Sequence, residues 1–169
     1  VASQIGQSGT VTPNETRPLP ITDINTAGVT SAITVAEDIT LPDLEVGVEI
    51  DHTWVGDVFI SLTSPGGTTV TLLDQPGVPA STFGCSSDNM DVVFSDAASV
   101  DPETSCPAGP PWLSGPVLPT QALSAFDGES TVGTWTLTVS DNAAGDTGDI
   151  VNWSLLPTPG FSGICTVCV

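Results

Sequence analysis

The densest group of possible metal ligands in this chain is a set of carboxylates in one glycine-containing turn. Asp141, Asp146 and Asp149 stand within the nine residues DNAAGDTGD, whose two glycines let the backbone curve. Ca²⁺ takes six to eight oxygen ligands from carboxylates, carbonyls and water in flexible loops. The twelfth position counted from Asp141 is Asn152 rather than glutamate, so the segment is not an EF-hand. The pattern predicts a calcium site of another kind.

A second group of acidic residues lies near the middle of the chain and supplies further candidate calcium ligands, namely Asp88, Asp91 and Asp96. Asp57, at the start of a predicted strand, is a candidate to join this group. Aspartate also favours turns for a purely structural reason, because its side chain hydrogen-bonds to nearby backbone amides. The sequence leaves both readings open and does not decide which aspartate meets which turn.

Catalytic constellations are poorly supported. His52 is the single histidine, and no Gly-x-Ser-x-Gly segment offers the activated serine that a Ser-His-Asp triad needs. Zinc requires several cysteines or histidines at close spacing, whereas Cys165 and Cys168 form one isolated pair. Candidate carboxylate pairs for glycoside hydrolysis carry little information in a chain with aspartate throughout. We therefore expect no catalytic residue.

The charge balance restricts the possible partners. The 169 residues contain 20 acidic residues and one basic residue, for a net charge of −19. Nucleic acid and anionic lipid attract proteins through lysine and arginine, so the composition argues against both. A hydrophobic content of 39% argues against disorder. Bound divalent cations would offset the repulsion among the carboxylates, and solvation alone would also do so.

Alternating hydrophobic residues define the elements that must position these side chains. Val58, Ile60 and Leu62 alternate with polar residues, a Ser-Pro-Gly-Gly turn follows, and the alternation resumes at Val70 and Leu72. This pattern predicts a β-hairpin with one buried face. Helical periodicity is nearly absent, and about eight short strands separated by glycine- and proline-rich turns predict an all-β sandwich of jelly-roll type. Residues 95–119 are expected to form a long irregular insert.

An ordered set of motifs resembles the P domain (Homo B domain) of proprotein convertases and bacterial subtilisin-like serine proteases. The motifs are HTWVGD at 52–57, ISLTSPGGT at 60–68, GTWTLTVSD at 133–141, GDTG at 145–148 and NWSL at 152–155. The resemblance covers residues 21–157. It implies that His52 belongs to a fold-defining motif without a catalytic role. It also implies calcium, since the P domains of bacterial proteases carry this ion.

These features predict a non-catalytic accessory domain of a secreted subtilisin-like protease or related hydrolase. Residues 1–20 are expected to form a linker, residues 21–157 the sandwich and residues 158–169 a tail. The resemblance implies a role in folding, stability, regulation or substrate contact, with the cognate catalytic domain or a protein substrate as partner. We expect a monomer without membrane insertion. The alternative is an adhesion or carbohydrate-binding module, for which Trp112 is the one plausible exposed aromatic platform.

The four cysteines suit an oxidising, extracellular environment. They allow three connectivities, of which we predict Cys85–Cys106, closing the irregular insert, and Cys165–Cys168. The second pair would be a small terminal disulfide, or would bind a group contributed by a downstream segment. The sequence shows no signal peptide, so Val1 is expected to begin a mature or excised segment.

Overall fold

The computed structural model describes residues 17–157, in which nine strands form two sheets. The all-β, sandwich-like prediction is confirmed, with two short 3-10 turns at Val55–Asp57 and Leu123–Phe126 as the helical elements of this part of the chain. The strands are β1 (Leu19–Ile21), β2 (Val29–Val35), β3 (Leu44–His52), β4 (Val58–Thr63), β5 (Thr69–Asp74), β6 (Met90–Phe94), β7 (Leu113–Val117), β8 (Gly133–Asp141) and β9 (Gly148–Pro157).

The strand order brings distant parts of the chain together. One sheet has the order β1-β9-β3-β6-β7 and the other β2-β8-β4-β5. All neighbouring strands pair antiparallel except β6 and β7, which pair in parallel. The ends of β3 and β8 therefore lie next to elements far away in sequence, and this places the acidic residues discussed below.

The predicted hairpin is β4 and β5. Val58, Ile60 and Leu62 are each 0% exposed, because alternate side chains of a strand point to the same face. Gly67 has a φ of +92°, a left-handed conformation that glycine adopts readily, and its amide donates a hydrogen bond to the Ser64 carbonyl. The inward faces of both sheets form one hydrophobic core, in which Phe126 and Trp135 pack edge to face with ring centroids 5.2 Å apart.

The long insert is more ordered than the sequence suggests. We predicted residues 95–119 to be irregular, but Leu113–Val117 forms β7, parallel to β6. Strand propensity does not predict β7, because it contains Gly115 and Pro116 and both residue types are depleted in strands. Cys85 and Cys106 are joined by a disulfide across a sequence separation of 21, which confirms that prediction. The predicted Cys165–Cys168 pair lies outside the described residues.

β1 begins at Leu19, within the segment predicted as a linker, and pairs with β9 from Leu19↔Ile150 to Ile21↔Gly148. Within residues 17–157, no helix is long and apolar enough to cross a membrane.

Candidate functional site

The candidate site lies at one end of the sandwich, where the end of β3 meets the turn between β8 and β9. The Thr53 amide donates to the Thr147 carbonyl at 3.2 Å, and the Thr53 hydroxyl donates to Asp146 Oδ1 at 2.8 Å. The Asn142 amide donates to the Asp57 carbonyl at 2.9 Å, which ties the 3-10 turn before β4 to the end of β8. These bonds hold three carboxylates of distant segments, those of Asp57, Asp141 and Asp146, in one neighbourhood.

A close approach of two backbones positions Asp57. A side chain at Gly56 would place its Cβ 2.5 Å from the Phe83 carbonyl oxygen, so only glycine fits there. The Gly56 amide donates to the Cys85 carbonyl at 3.0 Å, and the Trp54 indole donates to the Phe83 carbonyl at 2.6 Å. The 3-10 turn is thereby fixed against the disulfide-linked loop, and the Asp57 side chain is left only 4% exposed.

His52 and Asp141 form a buried contact. His52 Nε2 lies 3.4 Å from Asp141 Oδ2, and both side chains are 0% exposed. Neither atom has a hydrogen-bond partner among the described residues. His52 Nδ1 lies 2.9 Å from the Trp54 carbonyl and 3.2 Å from the Trp54 amide. With its proton on Nε2, the ring directs a donor at Asp141 while Nδ1 accepts from the Trp54 amide.

Burial and neighbouring negative charges raise the pKa values of two carboxylates at this end, Asp57 and Asp141. Burial, followed by the charges of Asp141 and Asp146, raises the pKa of Asp57 from 3.8 to about 6, and the charge of His52 opposes the shift. Burial also raises the pKa of Asp141, against the lowering effects of the Ala143 amide and of His52. Each shift means that the folded protein disfavours the ionised form of these groups.

Asp23 is a member of this neighbourhood that sequence reasoning missed. Its Oδ1 accepts a hydrogen bond from the Gly145 amide at 3.0 Å, and its charge raises the pKa values of Asp57 and Asp141. The pairing of β1 with β9 places Asp23 beside the turn after β8, across a separation of 122 residues. No local pattern in the sequence signals such a contact.

Of the other predicted calcium ligands, Asp149 lies beside this end, at the start of β9, whereas Asp88, Asp91 and Asp96 lie on β6 or in the loops that flank it. Asp96 accepts hydrogen bonds from the Leu123 and Ser124 amides, each at 2.8 Å, and so caps the second 3-10 turn. Asp91 is exposed on β6 opposite Glu49, and Asp88 is exposed in the loop before β6. Asp149 is half-buried on β9 and stands opposite Asp51. The negative charges that raise the pKa of Asp57 are those of Asp141, Asp146 and Asp23.

The arrangement is not a finished metal cage. Among residues 17–157, no group of three or more aspartate, glutamate, histidine or cysteine side chains is placed so that it could hold a metal ion. The donor chemistry nevertheless suits a hard cation, because carboxylates and carbonyls converge and one buried carboxylate oxygen has no partner. An ion would have to draw Asp57, Asp141 and Asp146 closer together.

The prediction that Trp112 could serve as an exposed aromatic platform is wrong. Trp112 is only 2% exposed, and its indole donates to the Ser105 carbonyl at 2.8 Å. The side chain packs into the core beneath the insert, since a proline-rich segment can bury an aromatic residue as readily as a strand can. No sugar ring can stack on Trp112 in this fold.

Comparison with known proteins identifies related sequences. The family model described as the proprotein convertase P-domain matches residues 41–156. A calcium-dependent protease of Nostoc sp. is 29% identical over 132 residues, and one of Trichormus variabilis is 28% identical over 135 residues. Each match covers 78% of this chain but only 16% of the relative.

Two solved structures share the fold. The complex of Aeromonas sobria serine protease with a chaperone matches with a TM-score of 0.54 at 22% identity, over 86% of this chain and 25% of that chain. The structure of the serine protease of Aeromonas sobria matches with a TM-score of 0.51 at 20% identity, over 90% of this chain and 27% of that chain.

Proposed function

This chain belongs to the proprotein convertase P-domain family, and we propose that it is the non-catalytic accessory domain of a secreted subtilisin-like serine protease or related hydrolase. The family match over residues 41–156 carries the proposal. The curated relatives are calcium-dependent proteases, and the chain spans 16% of their length. The disulfide in the described residues agrees with an extracellular location.

The environment of His52 supports a structural role for this residue. It is 1% exposed, and its ring nitrogens face the Trp54 backbone and the Asp141 carboxylate. Both nitrogens are therefore engaged by groups other than a serine hydroxyl, whereas a general base must reach the proton that it removes. The histidine instead joins β3 to the end of β8.

A deletion in the full-length protein tests the accessory role. Removal of residues 17–157 should abolish the yield of secreted, active hydrolase, because the catalytic partner would lose the domain that supports its folding or stability. Western blotting of the culture medium measures the amount of secreted protein, and a proteolytic assay of the same medium measures its activity. Unchanged secretion and activity after the deletion, or a reading frame that encodes no hydrolase, would exclude the accessory role.

We further propose that calcium stabilises the domain at the end of the sandwich formed by Asp57, Asp141 and Asp146, with Asp23 as an additional ligand. The raised pKa values of Asp57 and Asp141 and the burial of both side chains support this, because a cation would relieve both the repulsion and the desolvation. The chain has one arginine and no lysine to do so. Asp149 and the separate group Asp88, Asp91 and Asp96 remain weaker candidates.

Melting in calcium and in EDTA tests this site. A ligand that binds only the folded state adds about 2.7 kcal/mol to the free energy of unfolding at a hundredfold excess over its Kd. Millimolar Ca²⁺ should therefore raise the Tm, and monovalent salt of matched ionic strength should not. Asp146→Ala should blunt the response, whereas Asp74→Asn, an exposed change at the end of β5, should leave it intact. An identical Tm in EDTA and in calcium would eliminate the site.

A further inference from the structure

The outer face of the four-stranded sheet is an array of hydroxyl groups with one carboxylate, that of Asp74 at the end of β5, opposite Phe59. Apart from Ser140, which is buried, its outward-pointing positions on β2, β8, β4 and β5 are exposed or half-buried. They are occupied by Thr30, Ala32, Thr34, Thr134, Thr136, Thr138, Ser61, Thr63, Thr69 and Thr71. Phe59 continues the β4 column and is the one aromatic side chain of this face. We refer to these positions as the threonine face.

The strand register arranges these residues in rows across the sheet. One row consists of Thr30, Thr138, Ser61 and Thr71, each directly opposite the next. The next row consists of Ala32, Thr136, Thr63 and Thr69, and the third of Thr34 and Thr134. Strands lie about 4.8 Å apart and alternate residues along a strand about 6.8 Å apart, so the hydroxyls repeat in two directions.

Strand propensity alone does not explain why the three rows of this face carry no charge. Threonine is favoured in strands, and threonine pairs stabilise neighbouring strands. The other sheet of the same molecule, however, carries carboxylates on its outer face. There Glu49 stands directly opposite Asp91, and Asp51 directly opposite Asp149, although like charges in such positions are destabilising. The chain therefore carries acidic pairs on the outer face of the five-stranded sheet but none in the three rows of the four-stranded sheet.

The hydroxyls are already ordered. The Thr63 and Thr69 hydroxyls are hydrogen-bonded at 2.9 Å, and those of Thr34 and Thr134 lie 3.4 Å apart. A threonine has few χ1 conformations, and these cross-strand bonds restrict them further. Each hydroxyl can donate one hydrogen bond and accept two, so capacity remains for a partner. A surface ordered before binding loses less conformational entropy when a partner arrives.

From this distribution of charge and hydroxyl groups, we propose that the threonine face binds a neutral, hydroxyl-rich polysaccharide. A cationic partner would be drawn to the acidic outer face of the five-stranded sheet, and an anionic partner would be repelled by the net charge of −19. A neutral polymer suits the remaining surface, because a repeating series of sugar hydroxyls can exchange hydrogen bonds with a repeating series of threonine hydroxyls. This mode of binding does not use Trp112.

Depletion of the protein from solution by insoluble polysaccharide tests the proposal. The probes are microcrystalline cellulose and chitin, with an anionic polysaccharide resin as the comparison, in buffer containing 0.5 M NaCl. We expect at least one neutral polymer to deplete the wild-type protein, and the anionic resin to leave it in solution. No depletion by either neutral polymer under these conditions, or equal depletion by the anionic resin, would overturn the proposal.

Isosteric variants tie the binding to this face. Thr63→Val with Thr136→Val removes two hydroxyls from adjacent strands but keeps the branched shape and strand propensity. It should fold normally by circular dichroism and lose most of the depletion. Thr26→Val with Thr82→Val, at exposed loop positions, is the matched control and should bind like wild type. Equal depletion by both double variants would assign the binding to another surface and contradict the inference.

These experiments are independent of the calcium site and of the accessory role. Polysaccharide binding by the threonine face is measured by depletion from solution, whereas calcium binding is measured by the Tm in calcium and in EDTA. Polysaccharide depletion can therefore fail while the calcium response persists, and the reverse also holds.

Discussion

Replacing Asp57 with asparagine isolates the energetic cost of the carboxylate cluster. The side chain is 4% exposed and lies near Asp141 and Asp146, whose charges add to the effect of burial in raising its pKa. Asparagine has nearly the same shape but no charge. In the absence of metal, the Asp57→Asn protein should therefore be more stable than the wild type, whereas most substitutions of a buried residue destabilise.

The shift in pKa sets the size of the effect. A change from 3.8 to about 6 corresponds to roughly 3 kcal/mol at neutral pH, since one pKa unit is about 1.4 kcal/mol. This figure is an upper bound, because the amide must still find hydrogen bonds in its buried position. A domain of this size gains about 2–4 °C in Tm per kcal/mol, so a rise of up to about 10 °C is expected.

Thermal unfolding followed by circular dichroism at pH 7.5 measures this rise, first in EDTA and then in millimolar Ca²⁺. In calcium the order should reverse, because the variant lacks a proposed ligand and the wild type gains binding free energy. Asp74→Asn removes the same charge at an exposed position and should change the free energy of unfolding by less than about 0.5 kcal/mol. A lower Tm for Asp57→Asn than for wild type in EDTA would refute the reasoning.

Three further predictions address other parts of the molecule. In EDTA the Tm should be higher at pH 5 than at pH 7.5. The raised pKa of Asp57 means that the folded state binds a proton more tightly than the unfolded state, and the stability that this proton contributes is lost as the pH rises through about 6. A fall in Tm on acidification to pH 5 would contradict this prediction. Cys85→Ser with Cys106→Ser should cost about 3 kcal/mol of unfolding free energy in denaturant titrations, from the loss of a loop closure of 21 residues, and an unchanged midpoint would count against this. The isolated chain should hydrolyse neither casein, gelatin nor ester substrates, and activity lost specifically in His52→Ala would disprove that expectation.

The strands were predictable because their information is local. Period-2 alternation at Val58, Ile60 and Leu62 requires only neighbouring residues, and the structure buries all three. The disulfide was predictable because one pairing closes the insert on itself. β7 was not, because its Gly115 and Pro116 are stabilised by parallel pairing with β6 rather than by their own propensity. Trp112 was misjudged for the same reason, since its burial depends on how the insert folds back.

The grouping of the acidic residues could not be predicted, because it depends on strand order. Asp57 is separated from Asp141 by about half of the chain, and the pairing Val58↔Asp141 between β4 and β8 brings them together. Asp23 reaches the same end through the pairing of β1 with β9. Desolvation, followed by the charges of Asp43 and Asp96, raises the pKa of Asp127, so Asp43, which stands apart in the sequence, also lies near other carboxylates. The sequence supplies the ligand types, and the topology decides which of them meet.

The buried acidic cluster requires a positive charge or a proton, and the chain restricts where either can come from. Buried carboxylates persist when they are paired, hydrogen-bonded or neutralised. The chain contains a single arginine, Arg17, and its guanidinium donates to the Ser31 hydroxyl on β2 at 2.9 Å. Protons on Asp57 and Asp141, or a bound cation, would neutralise this end.

The two means of neutralisation respond to pH in opposite directions. If protons neutralise the cluster, acidification stabilises the protein with or without calcium. If a cation does so, acidification in calcium removes stability, because protons compete for the oxygens that bind the ion. Melting curves at pH 5 and pH 7.5, each in EDTA and in calcium, separate these cases. The cation explanation requires the pH dependence of the Tm to change sign when calcium is added.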